Sequence, residues 1–352
     1  MMKKLLSLIL CFAVLSAIAI VPASAGYGSE SHYSIYDYGQ MGDVDGNDDI
    51  DSVDVVLLLR RSVFMPIPST QDRDYCFARL GDVNNDGYIN VLDATIIQRY
   101  LVGLSTYGTS VGDSVKLYDM DALRDFNAMK TYAALKSRGL DKTHIAGALA
   151  WIDSQSLFDS AMIEGEHLNM IGIRSERYCF GNEKNGLFNS YSRLDSYTKS
   201  VIKSYGSSAP SESYYIYTAD DGYIHYLPGI GLYGLAGRSA NALMHFAQRF
   251  TDAHWHWFDI DVQLAYLSKV GVGSFTISGY KNTYVSSPEY AARVAVSAAY
   301  GYSMGNLAND GLTASAANRA QYWFNRIQYW EDEDMVNGLL VDYTSRISKM
   351  MR

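Results

Sequence analysis

Two stretches of the chain carry the same twelve-residue pattern, DVDGNDDIDSVD at 43–54 and DVNNDGYINVLD at 82–93, and a short helical run follows each. Positions 1, 3, 5 and 12 supply side-chain oxygens: Asp43, Asp45, Asn47 and Asp54 in the first stretch, Asp82, Asn84, Asp86 and Asp93 in the second. Position 7 supplies a backbone carbonyl, from Asp49 and from Tyr88. A ring of hard oxygens at this spacing is what a cation such as Ca²⁺ needs, so two ions are expected. Position 8 is Ile in both loops, Ile50 and Ile89, an apolar residue placed to pack one loop on the other. Position 6 lies at the sharp turn, where glycine is the easiest residue. The second loop has Gly87 there and the first has Asp48, so the first site is expected to be the weaker.

These two loop-helix repeats, GDVDGNDDIDSVDVVLLLRR and GDVNNDGYINVLDATIIQRYL, resemble a type I dockerin over residues 41–104. Asp at position 12, where a full EF-hand usually has Glu, fits that resemblance. It implies a cohesin module on a scaffold protein as partner, and a cellulosome-type assembly. The recognition positions it implies are Ser52, Val53 and Arg60 in the first repeat, and Val91, Leu92 and Arg99 in the second. The first set is partly polar and the second more apolar, so one preferred binding mode is expected.

The ends and the charge are consistent with such a chain. Lys3 and Lys4, an apolar run over 5–20 and the small triplet Ala23, Ser24, Ala25 read as a secretory signal over 1–25. No later stretch is apolar enough to span a bilayer, so a secreted, extracellular protein held at the cell surface is expected, with no membrane partner. Between residues 41 and 104 there are 11 acids and 5 bases, which accounts for most of the net charge of −9. Cation ligands explain that acidity, and it argues against nucleic acid. Cys76 and Cys179 are the two cysteines left after cleavage and fall in different modules, which excludes a disulfide scaffold. Residues 26–40 and 105–116 read as linkers.

From 117 to 352 the apolar residues recur at helical spacing. Leu123, Phe126, Met129 and Tyr132 mark one helix, broken at Gly139. Ile145, Leu149 and Ile152 mark a second. Further helices are expected over 240–250, 262–267, 289–302 and 314–329. Residues 214–217 and 223–226 are expected to form a hairpin. The fold class expected is mainly α: a small calcium-binding pair of loop-helix units plus a larger α+β helical domain, with an insertion at about 174–226.

Four segments of that domain resemble, in order, phage-tail-type lysozymes. They are IAGALAWIDSQSLFD at 145–159, GIGLYGLAGR at 229–238, WFDIDVQLAYL at 257–267, and the closing helices from Pro288 and from Ala317. The resemblance implies a helical glycan-hydrolase fold acting on O-glycosyl bonds of peptidoglycan or another polysaccharide. Gln155, Gly231 and Tyr233 fall in its substrate groove. The departures bear on activity. The family's general acid falls on Gln155, and an amide cannot protonate a leaving sugar oxygen. The family's Q-W pair falls on Gly234 and Leu235, and a further Glu falls on Val270. Glu164 and Glu166 are the nearest carboxylates that could replace the acid. Two readings stay open: an active hydrolase, or a silent glycan- or peptide-binding module. His254 and His256, at i and i+2, lack a third ligand. No H-E-x-x-H, G-x-S-x-G or phosphate loop is present.

Overall fold

The computed structural model describes residues 38–63, 79–86, 89–116, 120–160, 162–164, 191–208, 211–220, 222–251, 257–301 and 311–331. The chain divides into two compact units, residues 1–118 and 119–352. The signal segment, Cys76, Cys179, Glu166, His254 and His256 lie outside the described residues.

The first unit is built on two short helices. Helix α1 (Ser52–Ser62) starts at Asp51, whose carboxylate accepts the Val53 N–H, while Asp54 reaches back to the Asp51 N–H. Helix α2 (Val91–Leu101) repeats this reciprocal cap with Asn90 and Asp93. Such boxes satisfy donors that a helix start otherwise leaves open. The two helices pack together over Val44, Leu57, Leu58, Leu80, Val83, Ala94 and Ile97, all buried.

The last three residues of each expected linker are strand. Strand β1 (Tyr38–Gln40) pairs antiparallel with β2 (Ser114–Lys116), Gly39 opposite Val115. Met41 and Gly112 continue the ladder through Met41 N–H to Asp113 O and Gly112 N–H to Met41 O. The ends of this unit are therefore clasped. Ladder pairing between segments more than seventy residues apart leaves no periodic signal in strands this short.

The second unit is mainly helical, as expected. Its helices are α3 (Met120–Ser137), α4 (Lys142–Ser156), α5 (Tyr191–Tyr205), the one-turn α6 (Glu212–Tyr215), α7 (Gly237–Thr251), α8 (Ile260–Lys269), α9 (Ile277–Lys281), α10 (Pro288–Ala299) and α11 (Gly311–Glu331). The hairpin is shorter than expected: β3 (Ile216–Thr218) pairs with β4 (Ile224–Tyr226), and Tyr214 and Tyr215 belong to α6 instead.

Helix α4 is the centre of this unit. Its residues from His144 to Asp153 are all buried, which is why its sequence is apolar on every side. Asp141 caps its start by accepting the His144 N–H, and Leu157 and Phe158 end it with left-handed backbone, φ 53° and 58°. It packs chiefly on α10 and α11. At the α4–α10 crossing, a Cβ on Gly147 would lie 2.6 Å from the Ala291 backbone and from the Tyr280 hydroxyl. Only glycine allows that approach. Four tryptophans are fully buried in this unit: Trp151 on the helix itself, and Trp257, Trp323 and Trp330. Trp151 stacks on Tyr233, with ring centroids 5.6 Å apart. The buried Asp153 is matched by Arg124, Arg319 and the Trp323 indole N–H. A buried carboxylate needs such partners.

Candidate functional site

The first loop closes on itself through its own carboxylates. Asp43 Oδ1 accepts from the Gly46 and Asn47 N–H groups, and Oδ2 accepts from Asp48 N–H at 3.0 Å. Asp54 Oδ1 accepts from Val44 and Asp45 N–H. Asp54 thus joins the two ends of the loop and caps α1. Asp48 adopts the left-handed conformation, φ 74°, that its position requires.

Asp43, Asp45 and Asp54 are all buried, and their ligand oxygens lie within 4.8 Å of one another. Burial, with the negative neighbours Asp45 and Asp43, pushes the Asp54 carboxyl up to about 8. Three like charges brought together out of water are unfavourable unless a cation joins them. The donor set, all hard oxygen, fits calcium. Asp43, Asp45, Asn47 and Asp54, with the Asp49 carbonyl, would hold the ion.

The second loop repeats the hydrogen bonds at fewer points. Val83 N–H donates to Asp93 Oδ1 at 3.0 Å, the counterpart of Val44 to Asp54. Asp86 N–H donates to both Asp82 and Asn84. Asp93 is buried, and burial and then Asp82 raise its carboxyl. Asp82 and Asn84 are half-buried, however, where their counterparts Asp43 and Asp45 are buried, and Asp86 is exposed like its counterpart Asn47. Gly87 and Tyr88 lie outside the described residues. Among the described residues, the first loop alone gathers three buried acidic ligands, with Asp48 at its turn. Asp43 stabilises the Asp48 turn directly by accepting its N–H.

The positions that the resemblance implies for recognition differ in exposure between the repeats. Val91 and Leu92 are about half exposed, at 55 and 50 %, and Arg99 holds the Ser105 carbonyl with two hydrogen bonds. Tyr100, Leu101, Val102 and Leu104, at the other end of the helix, are exposed too. In the first repeat Ser52 is exposed, while Val53 and Arg60 are half-buried.

In the second unit the groove residues separate. Tyr233 is a core residue, with its ring on Trp151 and its hydroxyl donating to the Gln263 carbonyl, so it is corrected as a substrate contact. Gly231 is buried too. Its φ is 71°, and a Cβ there would meet the Gln263 amide at 2.6 Å. That amide is a brace. Its nitrogen donates to Ser160 O and Trp257 O, and its oxygen accepts Leu232 N–H. Val270 is exposed at the end of α8.

Gln155 and Glu164 do reach partly open positions. Gln155 accepts from the Tyr300 hydroxyl at 2.7 Å, and a Cβ on Gly234 would overlap its amide. Glu164 accepts from the Tyr215 hydroxyl at 2.8 Å and from Gly229 N–H at 2.9 Å. Its backbone pairs with Gly229 and accepts from Tyr197. Tyr214 donates to the Gly234 carbonyl. After burial, the charge of Glu164 is among the causes that raise the phenols of Tyr205, Tyr214 and Tyr215. The sequence reading missed these tyrosines. No spacing marks them, since they come from α5, α6 and the end of α10.

Among the described residues, no helix is long and apolar enough to cross a membrane. No curated protein and no solved structure matches the chain. A family model of the dockerin type I domain matches residues 80–132, beginning just before the second loop and running into α3. The first loop lies outside the matched residues. A dockerin type I domain implies calcium, a cohesin partner and a cellulosome-type assembly, and proteins that carry one are typically extracellular.

Proposed function

We propose that this chain is a secreted component of a cellulosome-type assembly. Its first unit binds two Ca²⁺ ions and docks on a scaffold cohesin. Its second unit is a lysozyme-like module directed at peptidoglycan or another polysaccharide, which it holds without cutting. The observation that carries the docking reading is the buried triplet Asp43, Asp45 and Asp54. The cohesin face is the second repeat, centred on Val91 and Leu92, because that is where apolar surface is left exposed. Capture of the full chain by a cohesin-bearing scaffold fragment is expected in calcium and lost in EGTA, and Leu92→Asp should abolish it. Capture unaffected by EGTA contradicts the reading.

Gln155 supports the holding role for the second unit. Its amide stands where the lysozyme-like resemblance requires an acid, and Tyr300 engages it. Hydrolysis of a glycosidic bond needs a carboxylic acid on the leaving-group side. A hydrolase using Glu164 is the second reading, favoured by the partly open carboxylate. Zymography on peptidoglycan decides between them. No clearing is expected from the wild type. Brisk clearing that Glu164→Gln abolishes establishes the hydrolase.

A further inference from the structure

Glu164 is the group in the second unit that its packing leaves unexplained. Asp153 has two arginines, Asp261 has Lys130, Asp195 has Lys199, and Glu331 has Lys136. Among the described residues no lysine, arginine or histidine pairs with Glu164. Its side chain accepts from a tyrosine hydroxyl and a backbone N–H, both neutral donors. A carboxylate has about four acceptor positions, so two remain. Tyr215 touches it, Tyr205 and Tyr214 feel its charge, and Tyr300 holds Gln155. Tyr215 is buried beneath, Tyr205 is half-buried, and Tyr214 and Tyr300 are 40 and 42 % exposed at the edge. Gln155 adds an amide N–H₂ next to Tyr300.

A half-buried negative charge held by neutral donors alone is matched by a compact cation. The carboxylate offers it a charge-assisted hydrogen bond. A metal ion is a poor fit, since it requires several carboxylates and the site has one among the described residues. A neutral acetamido sugar would leave the charge unmatched. Tyrosine rings and the N–H₂ of the Gln155 amide are also suited to the faces and hydroxyls of a pyranose ring.

We propose that Glu164, with Tyr214, Tyr215, Tyr300 and Gln155, binds the protonated amine of an unacetylated 2-amino sugar within a glycan. This rests on the second unit being glycan-directed. Glu164 is the counter-ion, Tyr215 and the Gly229 N–H fix its orientation, and Gln155 meets a neighbouring hydroxyl.

The test is calorimetric titration of the calcium-loaded full chain with three probes: a glucosamine pentamer, an N-acetylglucosamine pentamer and pentalysine. The glucosamine pentamer is expected to bind at least about tenfold tighter than the other two, as a charged hydrogen bond implies. Its binding should weaken as pH rises and the amines lose their protons. Glu164→Gln should cost about tenfold or more, and Tyr215→Phe a smaller factor. Both variants should keep close to the wild-type melting temperature, because Glu164→Gln preserves the side chain's shape and Tyr215→Phe removes one hydroxyl without opening a cavity. Equal binding of both sugars, or glucosamine binding insensitive to Glu164→Gln, overturns the amine assignment while leaving a glycan-directed unit. Tightest binding of pentalysine, or no binding of either sugar, overturns the assignment together with the glycan reading.

Discussion

In the loop-helix unit three buried carboxylates lie close together, whereas in the large unit four tryptophans are buried in a core that encloses one apolar helix. The first arrangement is incomplete as covalent chemistry supplies it. Its core is a handful of aliphatic side chains between two eleven-residue helices, and its loops concentrate like charge. A small unit of this kind depends on a metal to close it. The large unit buries enough apolar surface to stand on packing alone. Its buried charges are matched internally, Asp153 by Arg124 and Arg319, Lys130 by Asp261. The contrast shows two solutions to marginal stability within one chain: an external cation, or a dense core.

The largest effect expected from this contrast is on calcium removal. Ligand binding to the native state alone adds ~4 kcal/mol at a thousandfold excess over Kd. Chelation with EGTA should therefore abolish the thermal transition of the first unit, or move it down by tens of degrees, and leave that of the second in place. Scanning calorimetry of the full chain reads both. A first-unit transition unmoved by EGTA breaks the comparison.

Gly147→Ala should do the reverse. Its Cβ would press on the Ala291 backbone, and overpacking of this kind costs about 1–3 kcal/mol. The second-unit transition should fall by several degrees while calcium affinity stays unchanged.

Within the second unit, Asp259 gives a pH signature. Burial and then Asp261 push its carboxyl up to about 6 from 3.8, with Lys130 opposing. The native state thus holds this proton more tightly than the unfolded chain does. The associated stability is present below pH 3.8 and is lost as pH rises through about 6. Asp259→Asn keeps an N-cap side chain for α8 and removes the charge. Its melting temperature should fall less than that of the wild type between these pH values, by a few degrees.

The smallest effect concerns Asp48. Left-handed backbone is unfavourable for it, so Asp48→Gly should stabilise the calcium-loaded first unit by about 0.5–1 kcal/mol. A loss of stability would show that the Asp48 side chain contributes more than its backbone costs.

The two regions also differ in how far the sequence discloses them. The loops are legible because a cation fixes which residue types stand at which intervals, so Asp43, Asp45 and Asp54 are named by spacing alone. The helices of the large unit are legible through Ile145, Leu149 and Ile152, which recur on the helical period. The Glu164 site is not legible in this way. Gln155, Tyr214, Tyr215, Gly229 and Tyr300 come from separate segments and meet only when α4, α6 and α10 are in place. Tyr233 shows the converse. It sits inside a motif-like segment and still belongs to the core, because Trp151 and Gln263 claim both its ring and its hydroxyl. The order of the two loops is not legible from Asp48 alone, because Asp43 and Asp54 also make hydrogen bonds across the first loop.

Calcium titration into the metal-free full chain, followed by calorimetry for the wild type, Asp43→Ala and Asp82→Ala, bears most directly on how the first unit is built. Two binding events are expected in the wild type. Asp43→Ala should eliminate the tighter one, because the first loop gathers the three buried carboxylates, and Asp82→Ala should eliminate the weaker one. Absence of any calcium heat, or loss of the tighter event in Asp82→Ala with Asp43→Ala left intact, would contradict a unit built round its first loop.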